Sequence, residues 1–360
     1  MSNQHYHALI LAGGRGTRFW PRSRKSKAKQ VLDFLGQGTL IQQTAERLVP
    51  VVSPENIWVL TNDHLRAEII RQLPQVPKRQ IISEPAGRNT APAIGLAAKI
   101  LQDVDPDAVM GVFPSDHVVA KPAAFRKTIQ AAYRAAAKGQ MALLGLQPRW
   151  AETGFGYIEF PKGAMKPGSL VPVPVVRFRE KPDASTAKKF VQAGHFCWNG
   201  GMFFWRADIF SAELWHHLPK TAALLDSLPK FGSRQFNAQL AEVFPQCENI
   251  SVDFAVLEKS EDVVGIAAGD IGWDDVGSFS AVYELMDKDG DDNASRGDSL
   301  ISDARGNYID APGKLVALLG VEDLIIVDTP DALLITRRDL SQKVGDLVKL
   351  LEKSGRDNLL

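Results

Sequence analysis

The chain has 360 residues, 45% of them apolar, with Lys+Arg and Asp+Glu both at 42. Zero formal charge excludes a nucleic-acid coat or a general binder of anionic membrane surface, while local charge still permits a phosphate site. The two cysteines, Cys197 and Cys247, have no CxxC neighbour, so neither a zinc site nor a disulfide framework is indicated, and no apolar run is long enough to span a membrane. Residues 1–7 are polar and lead straight into an apolar run without a signal-type segment, so a cytoplasmic protein is expected. The length suits one large α/β domain and a smaller one.

In chain order, residues 7–11 form a short apolar run that reads as a buried strand. It breaks into Gly13-Gly14-Arg15-Gly16-Thr17-Arg18. Three glycines in four positions let the backbone turn sharply and open its N–H groups to a bulky anion. Arg15 and Arg18 bring the forked geometry that fits phosphate oxygens. The spacing is not that of a Walker loop, and Phe19 stands where the dinucleotide fingerprint needs its third glycine. The end of the first strand therefore reads as a polyphosphate cradle.

The run Leu11-Ala12-Gly13-Gly14-Arg15-Gly16-Thr17-Arg18, followed by Trp20-Pro21 and Lys29-Gln30, resembles the signature of the sugar nucleotidyltransferases. The Trp-Pro and Lys-Gln forms resemble the mannose-1-phosphate guanylyltransferase branch. The resemblance implies that Leu11 to Gly14, Gly16, Thr17 and Arg18 bind the nucleotide. It also implies that Arg15 holds the β,γ-phosphates and that Lys29 sits near the α-phosphate.

Up to about residue 150, strand candidates at 57–60, 80–82, 108–113 and 141–144 alternate with helical patterns at 40–48, 63–73, 91–102 and 123–138. That alternation predicts βαβ units and a Rossmann-like, open, mostly parallel sheet flanked by helices, with ligands beyond the carboxyl ends of its strands. Two loops there carry unusual polar residues. In Ser83-Glu84-Pro85-Ala86-Gly87-Arg88-Asn89-Thr90, one of Asn89 and Thr90 is explained as a helix cap. The resemblance implies that this segment, with Glu84, Pro85 and Asn89, lies against a purine, and the Glu84 carboxylate suits the N1–H and N2–H₂ donors of guanine. In Phe113-Pro114-Ser115-Asp116-His117, an aspartate at a strand's carboxyl end suits Mg²⁺, a hard cation that takes carboxylate oxygen. The Pro-Ser-Asp-His form resembles that branch, with Ser115 against the nucleotide.

From residue 151 the pattern changes. Residues 153–160 read as a glycine-broken strand passing close to a ligand, 161–174 as a hairpin excursion and 175–178 as a strand delivering Arg179-Glu180-Lys181-Pro182. Asp183 then caps a helix to about residue 193, and Cys197-Trp198-Asn199-Gly200-Gly201 follows. Glu180 can accept from sugar hydroxyls, Lys181 can pair with a phosphate and Asn199 can donate and accept. The resemblance implies sugar-phosphate binding by Gly156, Tyr157, Glu180, Lys181 and Asn199, although Arg179 departs from the usual Val-Glu-Lys-Pro.

Helices are expected at 208–217, 221–228, 234–243 and 252–259, with His216 and His217 read as rim residues. After a strand at 263–267 comes Gly272-Trp273-Asp274-Asp275-Val276-Gly277. The resemblance makes Asp275 the second metal ligand beside Asp116, with Asp274 as the fallback. Residues 287–298 read as a linker, dividing a nucleotidyltransferase domain (1–286) from a small C-terminal β domain (287–360). The latter has strand candidates at 299–302, 307–310, 315–319, 324–328 and 332–336 and a final helix at 341–352. The resemblance makes it a partial β-helix, its final helix is expected to pack and to serve subunit contact in a homodimer, and the length sets the expectation of no following isomerase domain. The implied reaction joins GTP to mannose 1-phosphate, giving GDP-mannose and pyrophosphate, with Mg²⁺ as cofactor. The alternatives are transfer to another sugar 1-phosphate, a non-catalytic nucleotide-sugar sensor and a dinucleotide oxidoreductase.

Overall fold

The computed structural model describes residues 3–360. Its first part runs β1 (Tyr6–Leu11), α1 (Leu40–Leu48), β2 (Ile57–Thr61), α2 (Asp63–Gln72), β3 (Ile81–Ser83), α3 (Thr90–Val104), β4 (Val109–Pro114), β5 (Val118–Val119), α4 (Pro122–Ala136) and β6 (Met141–Leu146). Next come β7 (Tyr157–Glu159), β8 (Val173–Pro174), β9 (Arg177–Arg179), α5 (Ala184–Ala193), β10 (Phe196–Arg206), α6 (Ala207–His217), α7 (Pro219–Asp226) and α8 (Phe236–Val243). The chain ends with β11 (Val263–Ala267), β12 (Trp273–Asp274), α9 (Phe279–Leu285), β13 (Ala294–Ser302), β14 (Tyr308–Leu319), β15 (Leu324–Thr329), β16 (Ala332–Arg337) and α10 (Val344–Lys353).

The main sheet has the order β3-β2-β1-β4-β10-β6-β11-β8, with β7 and β9 extending from β10. The pairs β1–β2, β1–β4, β2–β3 and β6–β11 are parallel, and β10 runs antiparallel to β4 and β6. Strands β1, β2, β4 and β6 are buried almost throughout, because helices cover both faces of the sheet. Apolar side chains fill one core on each face. Reversing the strand order at β1, between β2 and β4, opens a crevice beyond the carboxyl ends of these strands.

Several elements differ from the sequence expectation. The stretch from Phe196 to Arg206 is one strand of 11 residues at the centre of the sheet; its register against β6 shifts between Asn199 and Phe203, across the glycine pair. The helix expected at 252–259 is a π-helical turn, Asp253–Leu257. The two strands expected at 307–310 and 315–319 are one, β14, and the linker at 287–298 already contains the start of β13.

The C-terminal sheet pairs β13, β14 and β15 in parallel and β16 antiparallel at its edge. It does not stand apart. Phe19, Phe34 and Phe279 share a third core with Tyr308, Ile325, Val327 and Val344. The first loop of the large sheet is thus seated on the small one. Trp20 donates its indole N–H to the Leu359 carbonyl at 2.9 Å. Among the described residues, no helix is long and apolar enough to cross a membrane.

Candidate active site

The glycine loop after β1 is shaped by its neighbours. Gly16 has φ +62°, and a Cβ there would come within 2.6 Å of Lys29 Cβ and 2.9 Å of the Lys29 nitrogen. Only glycine fits both the conformation and the gap. The loop carbonyls are held by side chains: Gln30 Nε2 donates to Ala12 O (2.8 Å) and Gly14 O (3.1 Å), Thr61 Oγ1 to Ala12 O (3.0 Å) and Ser23 Oγ to Gly16 O (2.8 Å).

Two adjoining cavities open on this loop. The first, about 300 Å³, is lined by Leu11, Ala12, Gly13, Gly14, Glu84, Asn89, Ser115 and Asp116. The second, about 280 Å³, is lined by Gly16, Thr17, Arg18, Lys29, Asp116, His117 and Asp275. Asp116 borders both. Burial pushes the Glu84 carboxyl up to about 7. Asn89 caps α3, its Oδ1 accepting from the Thr90 N–H at 2.9 Å. Pro85 faces the other way, into a larger cavity of about 540 Å³ shared with Arg66 and Phe231.

Lys29 joins the two aspartate loops. Its buried ammonium donates to Asp116 Oδ2 at 2.9 Å and to the Asp275 carbonyl at 2.6 Å. The carboxylates of residues 116 and 275 therefore belong to one cavity although 159 positions separate them in sequence. Burial pushes the Asp275 carboxyl up to about 6, against the pull of Lys29, and the charges of Asp274 and Asp116 push the same way. Burial also raises the Asp116 carboxyl, but the charge and hydrogen bond of Lys29 outweigh it and hold it below its ordinary value. Asp274 is engaged elsewhere: Oδ1 accepts from the Val276 N–H at 2.8 Å, and Oδ2 lies 3.5 Å from Arg149.

His117 accepts the Trp273 indole N–H at Nδ1 (3.1 Å), and its Nε2 lies 3.9 Å from Asp116. Burial pushes its pKa down to about 4, so the ring is neutral and helps to place the Asp116 loop. Two hard carboxylates on the lining of one cavity suit a divalent ion such as Mg²⁺, which takes one or two protein carboxylates and completes its shell with phosphate and water. Among the described residues, no group of three or more His, Cys, Asp or Glu is disposed to hold a metal alone.

Arg15 is placed outside these cavities. Its guanidinium pairs with Glu352 of α10 at 2.8 Å, over a small crevice lined by Trp20 and Leu360. The arginine facing the two aspartates is Arg18, whose Nη1 donates to the Gly277 carbonyl at 3.2 Å.

The residues expected around the sugar gather at β7, β9 and β10. The Glu180 carboxylate lies against Gly156, where a Cβ would meet Oε2 at 2.5 Å. Lys181, with φ +41°, reaches back to Glu180 Oε1 at 3.0 Å. Asn199 donates from Nδ2 to Asp253 Oδ1 at 2.9 Å and accepts from the Gly201 N–H at 3.0 Å. Tyr157 is fully buried, and its hydroxyl donates to the Glu152 carbonyl at 2.9 Å, so its ring anchors the preceding loop rather than facing this group. That loop adjoins the aspartates: the Phe155 ring meets Trp273 edge-on at 5.4 Å.

Sequence reasoning passed over Gln30 and Asp253. The doublet Lys29-Gln30 was visible, but not that the amide would bracket the glycine loop. Asp253 stood in an ordinary helical pattern, and nothing local marked it.

Residues 7–292 match the nucleotidyl transferase family, and residues 297–351 match the mannose-phosphate isomerase/GMP-like β-helix domain. The chain is 39% identical over 355 residues to alginate biosynthesis protein AlgA of Pseudomonas putida, covering 97% of this chain and 72% of that protein. It is 37% identical over 353 residues to a mannose-1-phosphate guanylyltransferase of Escherichia coli, covering 97% and 74%. A crystal structure from Thermus thermophilus, titled mannose-1-phosphate geranyltransferase, superimposes with a TM-score of 0.85 at 31% identity over 97% of this chain and all of that one.

Proposed function

The chain belongs to the nucleotidyl transferase family, and from that premise we propose that it transfers GMP from GTP to mannose 1-phosphate, giving GDP-mannose and pyrophosphate. The observation that carries this reading is the meeting of Lys29, Asp116 and Asp275 in one cavity with Arg18 and the glycine loop. Such a site suits charge neutralisation on phosphorus.

In this reading, an oxygen of the sugar phosphate attacks the α-phosphorus of GTP. A new P–O bond forms as the bond to the β-phosphate oxygen breaks, and pyrophosphate carries the electron pair away. The attacking group is already an anion at neutral pH, so neither a protein nucleophile nor a general base is required. Catalysis is then positioning and electrostatics. Gly13, Gly14, Gly16 and Arg18 hold the phosphate chain, Lys29 neutralises charge beside the α-phosphate, and Lys181 pairs with the sugar phosphate. Glu84 accepts from the guanine N1–H and N2–H₂, a pattern that adenine lacks. Asp116 and Asp275 would hold Mg²⁺, which when bound screens repulsion between the two anionic substrates.

The test is a matrix of four nucleoside triphosphates against a panel of sugar 1-phosphates, read as pyrophosphate release. GTP with mannose 1-phosphate should give the highest kcat/KM. A higher value for another pair, or no release from any, overturns the proposal.

A further inference from the structure

Asp253 opens the π-helical turn Asp253–Leu257. Such turns are rare and concentrate at functional sites. The turn is pinned at both ends: the Val252 N–H donates to Thr90 Oγ1 at 2.9 Å, and Glu258 Oε1 accepts the Glu180 N–H at 3.0 Å. Asp253 Oδ1 accepts from Asn199 Nδ2, and among the described residues its Oδ2 accepts no hydrogen bond.

Close by, Glu180 Oε2 is buried and has no hydrogen-bond partner. Burial pushes the Asp253 carboxyl up to about 6, and the charge of Glu180 pushes it further the same way. Two neighbouring carboxylates with unspent acceptor capacity repel a phosphate and call for O–H donors, because buried polar atoms are ordinarily paired. Lys181, beside them, supplies the cation that a phosphate on the same ligand would need. A Cβ at Gly156 would meet Glu180 Oε2 at 2.5 Å and Asn199 Cβ at 3.3 Å, so the glycine lets these two side chains come together.

We propose that Asp253 contacts the sugar and helps to determine specificity, its carboxylate and that of Glu180 each receiving one of two neighbouring pyranose hydroxyls. Asn199, fixed between Asp253 and the Gly201 N–H, sets the spacing of the pair. The inference rests on the sugar 1-phosphate reading above and names the part of the sugar that is read.

The test uses the full-length protein, GTP, and a panel of mannose 1-phosphates each lacking one ring hydroxyl. In the wild type, two adjacent deoxy positions should each lower kcat/KM by tenfold or more, and the others by less. In Asp253→Asn, KM for mannose 1-phosphate should rise at least tenfold while KM for GTP stays within twofold. One of the two deoxy penalties should then vanish and the other persist. Equal penalties at all positions in the wild type, or an unchanged pattern in the variant, would overturn the assignment. Equal penalties in the wild-type panel overturn the assignment even if the variant does not fold. Failure of wild-type turnover with every sugar would instead strike at the parent reading, which the same assay separates.

Discussion

The ammonium of Lys29 stands 2.9 Å from Asp116 Oδ2, and with its next contact, to the Asp275 carbonyl at 2.6 Å, it ties together the ends of two distant strands. The lysine side chain is only 8% exposed, and that of Asp116 is 35% exposed. Removing the cation leaves a partly buried carboxylate without its partner. The full cost for a buried pair is about 3–5 kcal/mol, and partial solvation reduces it here to roughly 1–3 kcal/mol. Lys29→Met should therefore unfold at lower temperature at neutral pH and lose turnover by more than a hundredfold. Calorimetry and pyrophosphate release check the two effects separately.

The two aspartates predict a metal-dependent stability. If Mg²⁺ sits between Asp116 and Asp275, the ion binds the native state and raises its melting temperature by mass action. Wild type should gain stability with Mg²⁺ in the presence of GTP. Asp275→Ala and Asp116→Ala should gain little and should lose turnover by a hundredfold or more, since one such electrostatic contact is worth about 2.7–4 kcal/mol of barrier. An Asp274→Ala control should keep turnover within tenfold, because its carboxylate is spent on Val276 and Arg149.

Much of this architecture could be read from residues alone. Hydrophobic runs at β1, β2, β4, β6 and β11 are continuous because both sheet faces are covered, and that pattern located each of them to within two residues. What escaped was non-local. Strand β10 is interrupted by Gly200-Gly201, and only its place between β4 and β6 makes it one element. The π-turn at Asp253 has helical composition, and its wider hydrogen-bonding is set by contacts far along the chain, to Thr90 and Glu180. Arg15 and Arg18 look alike in sequence, and the position of α10 separates them. The link between residues 116 and 275 was legible by resemblance, but the lysine that joins them was not.

Placement of the two arginines gives a sharp comparison. Arg15 is half-exposed and paired with an exposed glutamate on α10. Water screens such an exposed pair, so it adds little to stability. Arg15→Ala should reduce turnover by less than tenfold and leave the melting temperature almost unchanged. Arg18→Ala should cost a hundredfold or more, because its guanidinium borders the cavity shared with Lys29 and Asp275. Side-by-side kcat/KM values decide between them.

Glu84 predicts how nucleotide affinity changes with pH. Burial raises its carboxyl to about 7, and accepting the two guanine donors requires the ionised form. Binding must therefore expel a proton below that pH. GTP affinity should rise with pH up to about 7, by up to roughly tenfold per unit, and level off above it. The ligand-free fold binds this proton more tightly than the unfolded chain does. Its contribution to stability should thus fall as pH rises from about 4.5 to about 7. Glu84→Gln should flatten both profiles and lower the preference for GTP over ATP, as titration calorimetry and denaturation across pH 5 to 8 would show.

Glycines 14 and 16 separate backbone strain from ligand space. At residue 16, φ is +62°, and an added methyl would fall within 2.6 Å of Lys29 Cβ and 2.9 Å of its backbone nitrogen. A left-handed non-glycine residue costs about 1–2 kcal/mol, and backbone atoms cannot yield as a flexible side chain can. Gly16→Ala should lower the melting temperature and, by shifting Lys29 away from Asp116, abolish measurable turnover. At residue 14 an added Cβ meets nothing within 4 Å. Gly14→Ala should fold with wild-type stability. If the N–H groups of this loop receive phosphate oxygens, its methyl intrudes only on the ligand, and KM for GTP should rise while the melting temperature of the free protein stays fixed. A Gly14→Ala protein with unchanged KM for GTP would remove the phosphate chain from this side of the loop.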